Sequence, residues 1–247
     1  MGLPLLPIAL PRPITALHQI EITSRCNLRC KYCPSPNLGR PKVDMDVPTF
    51  VRSLEWARHF VKAGTQKELN LAGIGESTLH PNFVEYVGLA RAAVGPATNL
   101  IFATNGLIHD EAMIRALVPY HPVVWVSLHR PEKAGLAVEL YQKHGLLGGV
   151  SIDPSVNAND WAGQVKWKNS PGNAIPCPWL RVGHAMAMAD GRITTCCLDA
   201  SGAGVVGHVG MEPGSVAIAP YALCRTCNQE IGVVGYDQYG TTTKETP

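Results

Sequence analysis

The sequence predicts an α/β fold in which parallel strands alternate with helices. From about residue 18 to residue 153, short β-branched runs alternate with longer amphipathic stretches, the mark of βα units. The helix beginnings carry start signals: Asp46 ahead of Pro48, the pair Pro81-Asn82, and the pair Asp110-Glu111. Strands are expected at Gln19–Thr23, Glu68–Ala72, Leu100–Thr104, Val123–Leu128 and Val150–Asp153. Helices are expected at Pro48–Ala63, Asn82–Val94, Asp110–Val118 and Glu132–His144. Such units put the loops that follow the strands on one rim, where barrel enzymes keep their sites.

The bulk properties narrow the class. A chain of 247 residues suits one large domain, or a core domain with a small appendage. A content of 46% hydrophobic and 16% charged residues belongs to a folded globular protein. The formal charge of +2 gives a nucleic-acid partner little support, and no Lys/Arg block stands out. The opening Met1–Pro13 is apolar, but it lacks a basic segment and four prolines interrupt it. It therefore reads neither as an export signal nor as a membrane span. Eight cysteines without such a signal fit a reducing compartment, so thiols that serve metals and a cytoplasmic location are expected.

The first rim loop holds Cys26-Asn-Leu-Arg-Cys30-Lys-Tyr-Cys33. Cys26 and Cys30 can line one face of a turn, and Cys33 completes a tripod with no fourth thiol nearby. Three ligands on a four-iron cluster leave one iron with a vacant position, which is a place for chemistry. Other readings exist for parts of this run. Cys30 and Cys33 could supply half of a structural zinc site, or a redox pair that leaves Cys26 unexplained. A disulfide framework suits small secreted chains, which this is not.

The second loop, Leu71-Ala-Gly73-Ile-Gly75-Glu76-Ser-Thr-Leu-His80-Pro81, has glycines that let backbone approach a ligand. Its carbonyls with Glu76 suit a protonated amine. A plain strand-to-helix turn would read the same way. The third loop carries Thr104-Asn105-Gly106 and the fourth Ser127-Leu-His129, both also compatible with ordinary turn chemistry. His129 could face a substrate or cap a helix.

A second cysteine group follows a long gap: Cys177, Cys196-Cys197 and Cys224-Arg-Thr-Cys227. Four thiols from separated segments can close a site completely, and spacing alone does not separate zinc from iron–sulfur there.

Taken together, C-x3-C-x2-C with Tyr32 before the last cysteine resembles the signature of the radical S-adenosylmethionine superfamily. Gly73-Ile-Gly75-Glu76 is similar to that family's Gly-Gly-Glu-Pro motif, with Ser77 where proline is usual. The succession Asp160-Trp-Ala-Gly163, Cys177-Pro-Trp179, Asp190 to Asp199, Gly207-His-Val209 and Cys224–Cys227 resembles the C-terminal extension of its SPASM/twitch subgroup. The likeness runs from about residue 18 to 230.

That resemblance implies a partial (β/α) barrel with a small cluster-binding extension. It divides the chain into an N-terminal extension (1–17), a barrel (18–158), an auxiliary iron–sulfur domain (159–232) and a tail (233–247), rich in Gly and Thr and expected to be mobile. It implies a 4Fe-4S cluster on Cys26, Cys30 and Cys33 that binds S-adenosylmethionine. Tyr32, Gly73, Gly75, Glu76, Asn105 and Ser127 are the implied cofactor contacts. A second 4Fe-4S cluster is implied on Cys177, Cys196, Cys224 and Cys227, with Cys197 as a spare, buried thiol.

The implied reaction is cleavage of the cofactor to a 5′-deoxyadenosyl radical, followed by hydrogen abstraction. An auxiliary cluster points to oxidation of a small molecule, amino acid or short peptide, the pattern of 2-deoxy-scyllo-inosamine dehydrogenase and the sulfatase-maturing enzymes. A flavodoxin- or ferredoxin-type protein is the implied reductant. Redox-neutral rearrangement of a modified nucleotide or DNA base is an alternative, and a non-catalytic zinc-stabilised binding protein is another. His129, His184, Asp199 and Arg181 are conceivable bases. The chain leaves no residues for a separate leader-recognition domain. Between Ser127 and Trp161 only one helix and one strand fit, so the barrel should be abbreviated, its sixth strand coming from the segment before Cys177.

Overall fold

The computed structural model describes residues 11–152, 160–167 and 177–227. The expected strand end at Asp153, the segment just before Cys177 and the tail from residue 233 lie outside these. In chain order the elements are β1 (Arg12–Pro13), β2 (Ala16–Ile20), α1 (Val47–Lys62), β3 (Glu68–Asn70), α2 (Phe83–Val94), β4 (Asn99–Thr104) and α3 (Glu111–Leu117). They continue with β5 (Val123–Ser127), α4 (Pro131–Lys143), β6 (Leu147–Ser151), α5 (Pro178–Val182), β7 (His184–Ala187), β8 (Arg192–Thr194), β9 (Val205–His208) and β10 (Ala217–Ile218).

Helix starts follow the sequence signals in two of three cases. The Asp46 carboxylate accepts from the Thr49 amide at 2.8 Å, and that of Asp110 accepts from the Ala112 amide at 2.8 Å. Asn82 makes no side-chain cap; its own amide donates to His80 Nδ1 at 3.1 Å. Apolar residues spaced three and four apart then turn inward: Phe50, Leu54, Ala57 and Phe60 on α1, and Phe83, Tyr86, Val87 and Ala90 on α2. Phe50 and Tyr86 stack with ring centres 4.0 Å apart. These faces join one buried cluster with Leu69, Leu100, Phe102, Val124 and Val126 of the sheet. Each such side chain contributes about 1.5–3 kcal/mol when removed from water.

One sheet runs in the order β6-β5-β4-β3-β2-β7-β8-β9. All pairings from β6 through β7 are parallel, whereas β8 and β9 are antiparallel. The abbreviated count between Ser127 and Trp161 is met by α4 and β6. A sixth parallel strand exists, but it is β7, which follows Cys177 and joins the opposite edge, beside β2. The sheet thus crosses from the barrel into the extension without a break. At the N-terminus, β1 pairs with β10 near the C-terminal end of the described chain.

The strand expected at Gln19–Thr23 is displaced by three residues, to Ala16–Ile20. Beyond Ile20 the chain changes partners: the Glu21 amide donates to Ala187 O at 2.8 Å, and the Ile22 carbonyl accepts from the Met45 amide. At that point a fully buried carboxylate gathers four segments. Glu21 receives two bonds from Arg40 Nη2 (2.6 and 2.9 Å), one from the Ile74 amide (3.0 Å) and one from the Ala189 amide (3.1 Å). Arg40 Nε donates to Ala200 O at 2.7 Å. Both side chains are almost wholly out of water.

Two imidazoles pack at the opposite end of β2 and β7. His18 and His184 stack with ring centres 4.4 Å apart, and Trp179 meets both edge-on. Burial lowers the pKa of His18, against the pull of Glu68; burial and then the charge of His18 lower that of His184 to about 4.

Removing one partner of a buried ion pair leaves the other charge uncompensated. Glu21→Gln is therefore expected to lower unfolding free energy by about 3–5 kcal/mol in urea denaturation. The folded chain also binds fewer protons than the unfolded chain between the ordinary histidine value of about 6.5 and the lowered values. Stability should be full above that ordinary value and fall as pH drops toward 4. Melting temperatures across this range should show a shallower decline in His184→Asn.

Candidate active site

The loops after β2, β3, β4 and β5 meet at one end of the parallel strands, as the βα pattern requires. They enclose a cavity of about 330 Å³. Cys26, Cys30 and Cys33 line it, together with Tyr32, Gly73, Gly75, Glu76, Asn105 and Ser127. Every residue expected to hold the first cluster or its cofactor therefore faces the same space. Among the described residues no three His, Cys, Asp or Glu side chains converge on a point that one ion could occupy. The sulfurs border a cavity instead. Burial raises the Cys33 thiol to about 11, opposite to the depressed value that a reactive dithiol pair requires.

Several of these residues hold the loops to one another. Glu76 is buried; its Oε1 accepts from Thr78 Oγ1 at 2.6 Å and its Oε2 from the Asn105 amide at 2.7 Å. Desolvation raises its pKa against those hydrogen bonds. Asn105 donates from Nδ2 to Asn27 Oδ1 at 2.7 Å, joining the third loop to the cysteine loop. Asn27 carried no recognisable signal in the sequence. The glycines likewise serve close packing of protein on protein. A Cβ on Gly73 would stand 2.4 Å from Glu21 Cγ, and one on Gly75 would stand 2.3 Å from Thr23 O.

Tyr32 bonds His129 through its hydroxyl and Nδ1 at 2.6 Å, and its ring meets Trp167 edge-on at 5.3 Å. Burial lowers the pKa of His129, so its imidazole is neutral at neutral pH. Of the four conceivable bases, His129 alone lines this cavity. His184 stacks on His18. Asp199 is buried and accepts from Thr194 Oγ1 and the amides of Gly202, Ala203 and Gly204 at 2.5–2.9 Å. Arg181 belongs to α5.

The second cysteine group surrounds a separate, almost wholly apolar pocket. Cys177, Cys196, Cys224 and Cys227 line it with Ala162, Trp179, Leu180, Thr195, Tyr221 and Leu223. Cys197 is absent from that lining, and it is half-buried, as the four lining thiols are, where a buried side chain was expected. Its proximity is felt all the same: a hydrogen bond with Cys197, then burial, raises the pKa of Cys196. Burial raises Cys177 to about 11 and Cys224 to about 12.

The two pockets adjoin. Trp161 lines the first and Ala162 the second; Leu198 lines the first and Cys196 the second. Gln164 Nε2 bridges the carbonyls of Trp161 and Leu198 at 2.7 and 2.6 Å, and Thr226 Oγ1 donates to Ala162 O. Trp161 and Ala162 both lie in the left-handed region, at φ 52° and 57°, where non-glycine residues are strained. The wall between the pockets was not foreseeable from spacing, although the Asp160–Gly163 run supplies half of it.

Comparison with known proteins came to the same end of the fold. Residues 20–167 match the Radical SAM superfamily. The chain is 36% identical over 98 residues to a tungsten-containing aldehyde ferredoxin oxidoreductase cofactor-modifying protein from Pyrococcus furiosus, covering 40% of this chain and 26% of that protein. It thus spans about a quarter of the length of that relative. Among solved structures, BtrN in complex with AdoMet and 2-DOIA superposes with a TM-score of 0.65 at 21% identity, covering 79% of this chain and 78% of that one. Native anSMEcpe with bound AdoMet and Cp18Cys peptide gives 0.56 at 15% identity, covering 80% and 78%. At such identities these two likenesses establish the fold.

Gly75 packs against backbone that cannot retreat, whereas a Cβ on Gly39 meets nothing within 4 Å. Gly75→Ala is expected to destabilise the chain by about 1–3 kcal/mol in chemical denaturation, with Gly39→Ala close to neutral.

Proposed function

The chain belongs to the radical SAM superfamily, and on that basis we propose that it oxidises a small-molecule, amino-acid or short-peptide substrate by hydrogen abstraction, with a second iron–sulfur cluster as electron acceptor. The observation that carries this reading is the adjacency of the two thiol-lined pockets across the Trp161–Ala162 and Cys196–Leu198 segments. In this reading residues 18–158 form the catalytic barrel and residues 159–232 the cluster-binding extension.

The donor sets fit the groups the family uses. Cys26, Cys30 and Cys33 would hold the first 4Fe-4S cluster with one iron left open, and Cys177, Cys196, Cys224 and Cys227 would close the second. When bound, the reduced first cluster supplies an electron that splits S-adenosylmethionine into methionine and a 5′-deoxyadenosyl radical able to take a hydrogen atom.

The protein's share is binding, orientation and exclusion of water. Carbonyls of the Gly73–Gly75 loop, which lines the cavity, would accept from the cofactor's ammonium group. Glu76 keeps that loop in place through Thr78 and Asn105. The Tyr32 ring offers a surface for the adenine, held by His129 and Trp167. Ser127, at the end of β5, presents a hydroxyl for the cofactor's polar groups. Neutral His129, which lines the cavity, would take the proton that oxidation releases. Trp161 and Leu198 shield the cavity on the side of the second pocket. A flavodoxin- or ferredoxin-type protein would supply the electron. No described helix is long and apolar enough to cross a membrane.

The direct test is anaerobic incubation of the reconstituted chain with S-adenosylmethionine and dithionite. 5′-Deoxyadenosine should accumulate with wild type and fall to background with Cys30→Ala. Cys227→Ala should still form it while failing to oxidise substrate; full turnover by that variant would remove the second cluster from the reaction.

A further inference from the structure

The four-thiol pocket contains a polar group that the surrounding packing leaves without a partner. The hydroxyl of Tyr221 is buried and, among the described residues, makes no hydrogen bond of ordinary geometry. Its ring lies on Gly204, where an added Cβ would stand 2.6 Å from Cζ. Gly204 is itself held: its amide donates to Asp199 Oδ2 at 2.7 Å, and its carbonyl accepts from the Thr195 amide and Thr195 Oγ1 at 3.2 Å. The seat of the ring is thus built from the loop that begins at Cys196. The phenol O–H is a donor for which the pocket's apolar lining offers no oxygen acceptor.

A buried donor without a partner is disfavoured unless something accepts from it. A metal-bound thiolate is such an acceptor, because its sulfur carries the negative charge a neutral thiol lacks. We propose that Tyr221 is a positioning residue for the second cluster, donating its O–H to the Cys196 sulfur and so stabilising the more negative, reduced state. Hydrogen bonds to sulfur are one of the terms that set the potential of an iron–sulfur centre. Tyr221 thereby makes the second cluster a better electron acceptor. The proposal rests on the reading that the four thiols hold an iron–sulfur cluster.

The test is an anaerobic redox titration of the reconstituted full chain, followed by electron paramagnetic resonance. Tyr221→Phe should shift the second cluster's midpoint potential to a more negative value while leaving the first cluster's potential unchanged. Gly204→Ala should shift it in the same direction, because the added methyl displaces the ring. A potential equal to wild type in Tyr221→Phe overturns the proposal; where that variant fails to assemble the cluster, an unchanged potential in Gly204→Ala does so. A wild-type chain with only one titrating cluster overturns the reading beneath it, which is a distinguishable result.

Discussion

The ion pair between Glu21 and Arg40 is the constraint on which both pockets depend. Glu21 directly follows β2, ahead of the cysteine loop, and Arg40 lies just after that loop. The same carboxylate receives the Ile74 amide from the second rim loop and the Ala189 amide from the extension, while Arg40 reaches Ala200. Five backbone segments are therefore fixed relative to one buried charge pair. Two charges removed from water are tolerable only when they are paired and hydrogen-bonded; Glu21 receives four bonds, while Arg40 uses Nε and Nη2 and leaves Nη1 without a partner among the described residues. The absence of a side chain at Gly73 is what admits Glu21.

Around that centre the rim is organised by bonds among its own residues. Glu76 and Asn105 were expected to touch a cofactor, and they line the cavity. Their carboxylate and amide groups, however, are engaged with Thr78, the third loop and Asn27. Residues of a binding motif can thus act by fixing backbone, leaving carbonyls and hydroxyls to face the ligand. Preorganisation of this kind removes ordering entropy from the binding step.

The local features of the fold were legible in the sequence because they are local. Helical periodicity located α1 to α4, and the Asp46 and Asp110 signals marked two helix starts. The residues picked out by thiol spacing and strand-end position line two shared pockets. Long-range features were hidden. Nothing in Glu21 or Arg40 distinguishes a buried pair from two surface charges. β7 could not be seen to pair with β2 across more than 160 residues, because register depends on partners remote in the chain. The half-buried setting of Cys197 and the strained turn at Trp161–Ala162, tied to Thr226 beyond it, likewise depend on contacts remote in the chain.

That turn makes the two pockets neighbours, and the central claim is that each is a cluster site. Iron and acid-labile sulfide, counted after anaerobic reconstitution, test it most directly. The account predicts about eight iron atoms per wild-type chain, and about four in a Cys26→Ala/Cys30→Ala/Cys33→Ala variant and in a Cys177→Ala/Cys196→Ala/Cys224→Ala/Cys227→Ala variant. A wild-type chain that binds about four, or that takes up zinc in place of iron at either set, would contradict it.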